Sequence, residues 1–125
     1  MTQRLPGVVG LLLMLMAGLV EQAAADEACA IDDAEQEICL TVPAERIVAL
    51  SPGATELLFA AGAGEQVVAV VDHSDYPPEA SELPLVGSHD RLDLERLVAL
   101  QPDLVIGWVT GNPAGQMERL ERLGI

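Results

Sequence analysis

The sequence predicts an α/β fold: a three-layer αβα lobe built on a mostly parallel sheet and preceded by a β-hairpin. Three observations predict it. From Arg46 onward, short apolar runs of strand character alternate with helix-like segments, the order expected of a parallel sheet with helices on both faces. The stretch Asp93 to Trp108, DLERLVALQPDLVIGW, contains a complete helix–turn–strand unit. Ahead of the alternation, ACAIDDAEQEICLTV reads as two short strands around a polar turn.

Residues 1–25 have the pattern of a secretory signal peptide. Arg4 precedes an apolar run from Val8 to Val20, and Ala23-Ala24-Ala25 supplies the small residues of a cleavage site after Ala25. The run is roughly 13 residues, short of the roughly 20 that a membrane-spanning helix needs. No membrane insertion is expected once the signal is removed. Asp26-Glu27-Ala28 ahead of Cys29 lacks the aliphatic residue of a lipoprotein signal.

Cleavage removes one arginine and one glutamate and leaves the net charge at −14, in a chain without lysine. So acidic a domain does not bind nucleic acid by neutralising phosphates, and it repels anionic membranes. Residues 26–45 form the hairpin segment. Its two cysteines, Cys29 and Cys39, face each other across the turn and predict a disulfide in a secreted chain, rather than a metal site.

The elements of the lobe, residues 46–125, follow in order. Arg46–Leu50 is a strand. Ser51 caps a helix with Pro52 at its first position, and Gly62 ends that helix. Gln66–Val71 is a second strand, Asp72–Pro78 an irregular stretch with two prolines, Leu83–Gly87 a short strand and Ser88–Leu92 a loop. Asp93 caps the next helix, whose apolar stripe is Leu94, Leu97, Val98 and Leu100. Gln101-Pro102 stops it. Leu104–Ile106 reads as a strand covered on both faces. Asn112 and Pro113 open a last helix with Met117, Leu120 and Leu123 as its buried stripe and Gly124 at its end. The next element of the alternation would be a strand beginning at Ile125, so the lobe is expected to be the first part of a longer secreted protein.

In a parallel layer, a helix begins and the following strand ends at the same edge of the sheet. Glu95 and Trp108 therefore belong to one edge, where open α/β sheets bind ligands. His73 and His89 fall in loops at that edge, either as surface residues, as ligand contacts, or as an axial ligand to a metal centre in a bound cofactor. Trp108, the only tryptophan, offers a flat packing surface or joins the core. No G-x-S-x-G, P-loop or H-E-x-x-H pattern occurs. Ser51 has no base beside it in the sequence pattern and reads as a helix cap. No enzymatic activity is expected, although a secreted α/β enzyme and a pure interaction module are the readings of other classes.

RIVALSPGATELLFAAGAG (Arg46–Gly64), SDYPPEA (Ser74–Ala80) and DLERLVALQPDLVIGWVTGNP (Asp93–Pro113) resemble the N-terminal lobe of the periplasmic iron-siderophore, haem and cobalamin receptors of bacterial ABC importers. The resemblance covers residues 28–125. SDYPP and GW-x-x-GNP point to the cobalamin branch. It implies a monomeric periplasmic receptor of two α/β lobes. Cobalamin would be its transported ligand, held between the lobes with no cofactor of the protein's own. Haem or an iron-siderophore is the alternative ligand. It implies ligand contacts from Pro52, His73, His89 and Trp108. His73 and His89 stand where relatives can carry aromatics, and either can coordinate cobalt or haem iron. It also implies that Glu95, in the matching Asp-Leu-Glu-Arg motif, docks into an arginine pocket of the permease. A carboxylate that merely complements the helix dipole is the plainer role for Glu95.

Overall fold

The computed structural model describes residues 27–125; the predicted signal peptide, residues 1–25, lies outside the described residues. Strand β1 (Ala28–Ile31) pairs antiparallel with β2 (Glu37–Leu40), placing Cys29 directly opposite Cys39. The two form the expected disulfide, with Cα atoms 4.1 Å apart. The Asp32 carboxylate accepts the backbone N–H groups of Ala34 and Gln36 at 2.9 and 2.8 Å, adding to the backbone bonds from Asp32 N–H to Gln36 and from Glu35 N–H to Asp32 that close the turn. The hairpin is largely exposed, so pairing and the covalent staple hold it rather than burial.

In the lobe, β3 (Ile47–Ala49) is the central strand. It pairs in parallel with β4 (Val67–Ala69) on one side and β7 (Leu104–Ile106) on the other. Side chains alternate across it. Ala49 joins Val67, Val70 and Ala54 of α1 (Pro52–Ala60), with Leu58, Phe59 and Ile106 packed around them. Val48 and Leu50 join Ala69, Val71, Leu97 of α2 (Leu94–Ala99) and Leu120 of α3 (Ala114–Arg122). One helix on one face and two on the other make three layers. The alternation slips once in β4. Ile47 pairs with Val67 but Val48 pairs with Ala69, leaving Val68 as an extra residue.

Both expected caps are present. The Ser51 hydroxyl accepts the Ala54 N–H at 3.1 Å, and the Asp93 carboxylate accepts the Arg96 N–H at 3.0 Å. Gly62, at φ 83°, follows α1 as predicted.

Several expectations need correction. The strand expected over Gln66–Val71 is shorter, because residues 64–66 form a single 3₁₀ turn and Val70 makes only an isolated parallel bridge to Leu85. Of the strand expected over Leu83–Gly87, Leu85 makes that bridge, Val86 and Gly87 bond the backbone of Val70 and Asp72, and Gly87 opens a separate short strand. Pro84 can accept from Val70 at 3.0 Å but has no N–H to extend the ladder. The expected loop Ser88–Leu92 contains pairing: β5 (Gly87–Ser88) and β6 (Arg91–Leu92) form a small antiparallel hairpin. β7 is half-buried rather than covered on both faces, because it is the outer strand of its sheet among the described residues. Asn112 does not cap α3. The helix begins after Pro113 without a side-chain cap, and the asparagine amide is engaged elsewhere. Leu123 is 56% exposed, so the buried stripe of α3 narrows to Leu120 with Met117 beside it.

Candidate functional site

The two ends of the sheet can be told apart by what ties them. At its N-terminal end, the Asp103 carboxylate accepts the N–H groups of Glu45 and Arg46 at 2.8 and 3.0 Å. The Arg46 guanidinium donates to the Leu100 carbonyl from Nε at 2.9 Å and Nη2 at 2.7 Å. The last turn of α2 is thereby fixed at the start of β3. The helix runs back along the strands, so its first turn, with Glu95, lies toward the opposite, C-terminal end. Trp108 follows β7 by two residues at that same end. The predicted sharing of one edge by Glu95 and Trp108 follows from this topology.

That edge is assembled around Asn112. Its side chain is buried, at 6% exposure. The amide Nδ2 donates to the Leu50 carbonyl at 2.9 Å and to the His89 carbonyl at 2.7 Å. Oδ1 accepts the Trp108 N–H at 2.6 Å. The Trp108 carbonyl in turn accepts the N–H groups of Gly111 and Asn112 at 3.0 and 2.8 Å. One asparagine thus joins the end of β3, the β5–β6 turn and the loop after β7. Gly111 lies directly under the indole; a Cβ there would overlap the Trp108 ring, so only glycine admits this close approach.

Trp108 is 48% exposed. It lines an apolar groove of about 740 Å³ with Pro52, Leu57, Leu58 and Ile106. Leu57, on the outer side of α1, is 72% exposed there. Asp33, from the turn of the stapled hairpin, also lines the groove. The His89 ring lies beside the indole, with ring centroids 6.1 Å apart and planes inclined at 46°. Next to it, the Asp90 carboxyl is held below the usual carboxylate range, chiefly by the Ser88 hydroxyl, which donates to it at 2.7 Å.

The predicted ligand residues therefore divide. Pro52 and Trp108 share the groove, and His89 stands against Trp108. His73 is not among the residues lining the groove; it is exposed at φ 66° in the loop after β4. That loop is tied to α1 where the Thr55 and Ser74 hydroxyls share a hydrogen bond of 3.2 Å. Glu95 is exposed, in a separate shallow hollow of about 260 Å³ with Leu94, Val98, Arg119 and Leu123. Asn112, Gly111 and Asp33 were not picked out by the sequence as site residues. The asparagine is four positions after Trp108 and before a proline, a context that reads equally as a helix cap. Only the tertiary bonds separate the two roles.

Comparison with known proteins places these features in a family. A family model described as periplasmic binding protein matches residues 47–124. The vitamin B12-binding protein of Vibrio parahaemolyticus is 51% identical over 83 residues, which are 66% of this chain and 30% of that protein. The crystal structure of the periplasmic vitamin B12 binding protein BtuF of Vibrio cholerae matches with a TM-score of 0.65 and 48% identity, over 66% of this chain and 32% of that one. The apo form of the periplasmic heme-binding protein RhuT from Roseiflexus sp. RS-1 matches with a TM-score of 0.61 and 39% identity, over 66% and 32% of the two chains. The chain spans about 30% of the length of the curated relatives it matches.

Proposed function

This chain belongs to the periplasmic binding protein family, and on that premise we propose that it is the N-terminal lobe of a receptor that captures cobalamin and delivers it to an ABC importer. The observation that carries the reading is the half-exposed Trp108 indole at the C-terminal edge of the sheet, over an apolar groove. A corrin is a large flat ring system, and an exposed indole beside aliphatic side chains offers it a matching surface. The vitamin B12-binding relatives support the ligand class. Residues 1–25 direct the chain to the periplasm, where the Cys29–Cys39 disulfide is at home.

The receptor carries out no reaction in this reading. Its Ser51 hydroxyl, the serine at the strand-to-helix turn, is engaged as a helix cap. Ligand and permease use separate parts of one edge. Trp108, Pro52 and His89 face the ligand, while Glu95 presents its carboxylate to a basic pocket of the permease. Charge reversal by Glu95→Lys is expected to weaken docking about tenfold or more and to leave cyanocobalamin affinity unchanged. Pull-down on permease-containing membranes and equilibrium dialysis measure the two separately. Transport unaltered by this substitution would overturn the docking role. One lobe supplies half of a clamp, so the full two-lobed product is the species to titrate. Absence of saturable cyanocobalamin binding by it would refute the ligand assignment.

Haem is the second reading. It is favoured by one observation: His89 stands exposed at 6.1 Å from the Trp108 ring, where an imidazole can reach an iron in a flat macrocycle. A haem titration that leaves the Soret band unshifted removes it.

A further inference from the structure

We propose that Asn112 is the positioning residue of the ligand edge: its side-chain amide sets the separation and tilt of the His89 and Trp108 rings. This rests on the ligand-edge reading above and goes beyond it, because Asn112 is buried and does not line the groove. Three bonds make the case. Two N–H groups of one amide reach the Leu50 and His89 carbonyls, and its oxygen receives the Trp108 N–H. The chain from Trp108 to Asn112 also closes on itself through the Trp108 carbonyl. The amide therefore fixes the backbone beneath both rings and refers it to Leu50, at the end of the central strand.

The chemistry is specific to an amide. Aspartate in the same volume would keep the bond to Trp108 but would set a carboxylate oxygen against two carbonyl oxygens. Serine would keep a single hydroxyl in place of three bonds. Aspartate leaves both carbonyls without their donor and serine leaves at least one of them so, and the loops carrying His89 and Trp108 lose their common anchor.

Trp108 is the only tryptophan in the chain, so its fluorescence reports on this edge alone, without ligand. In folded Asn112→Asp, the acrylamide quenching constant of Trp108 is expected to rise about twofold. Cyanocobalamin affinity of the two-lobed product is expected to fall about tenfold as preorganisation is lost. Leu120→Ala, in the buried core, serves as the matched control. It lowers the unfolding midpoint but leaves quenching and affinity of the folded state unchanged. Asn112→Ser is the second variant. Hydrogen exchange on the unsubstituted protein needs no variant: the Trp108 amide is expected to exchange at least about tenfold more slowly than that of its exposed neighbour Val109.

Unaltered quenching in a folded Asn112 variant overturns the proposal, as does a Trp108 amide that exchanges as fast as that of Val109. If quenching and exchange behave as expected while the unsubstituted protein fails to bind cyanocobalamin, Asn112 keeps its positioning role and the ligand assignment falls instead.

Discussion

The N-terminal and C-terminal ends of the same three strands are finished in opposite ways. At the N-terminal end, charged side chains are turned onto the backbone. Asp103 gathers the N–H groups of Glu45 and Arg46, and Arg46 holds the Leu100 carbonyl. At the C-terminal end the segments after β3, β5 and β7 are joined from beneath by a buried neutral amide, Asn112, and the histidines and the indole are exposed. An amide can do this because it donates and accepts at once and carries no charge to desolvate. The difference separates closure of the fold from presentation of a surface.

Four substitutions test that division. The largest effect concerns the hairpin, whose turn contributes Asp33 to the groove. Replacing Cys29 and Cys39 together by serine removes the cross-link and is expected to cost hairpin order about 2–3 kcal/mol. Faster amide exchange in residues 28–40, with the lobe's exchange unchanged, is the expected pattern. If the lobe is destabilised as well, the hairpin is part of its core. Trp108→Ala comes next. It is expected to cost cyanocobalamin binding about 2 kcal/mol, read by dialysis, with little change in the unfolding midpoint. A large midpoint shift would make the indole a core residue. Asp103→Ala should do the reverse, lowering stability by about 1 kcal/mol in a urea titration while leaving affinity alone. Affinity falling in step with stability would show the two ends to be coupled.

The smallest effect is at Asp90, whose carboxyl is held low by the Ser88 hydroxyl. A carboxyl lowered in the folded state stabilises at pH above the ordinary carboxylate range, and that contribution fades as pH falls through the folded value. Ser88→Ala is expected to raise the Asp90 midpoint toward its ordinary value, as followed by NMR titration. An unmoved midpoint would assign the lowering to other neighbours.

Much of the fold was legible because local signals and burial agree. Ser51 and Asp93 cap the helices they precede, Gly62 ends α1, and the apolar runs at Ile47 and Leu104 become parallel strands. Legibility fails where a local signal serves a tertiary purpose. Asn112-Pro113 has the composition of a helix start, yet the asparagine bonds Leu50, 62 residues away in sequence. Leu83–Gly87 is apolar enough for a strand, but Pro84 has no N–H to extend the pairing toward Leu83, and Gly87 turns into the β5–β6 hairpin. The site divides similarly. Pro52 and Trp108 each follow a strand and so share the sheet's C-terminal edge, but their proximity rests on the β3–β7 pairing, which the local pattern does not set. The approach of His89 to Trp108 depends on the β5–β6 turn and its bond to Asn112, which no periodicity announces.

The surplus residue at Val68 reaches further than its strand. Beyond it, Ala69 and Val71 join Leu97 and Leu120, while Val70 joins Ala54 on the α1 side. A one-residue deletion at that point would exchange those seats, since each step along a strand reverses the face addressed. The segment leaving the strand at Asp72 would then emerge half a turn over, carrying His73 away from the loop edge it now occupies. The place of His73 in the chain's path is thus decided several residues upstream, by a counting irregularity in the sheet.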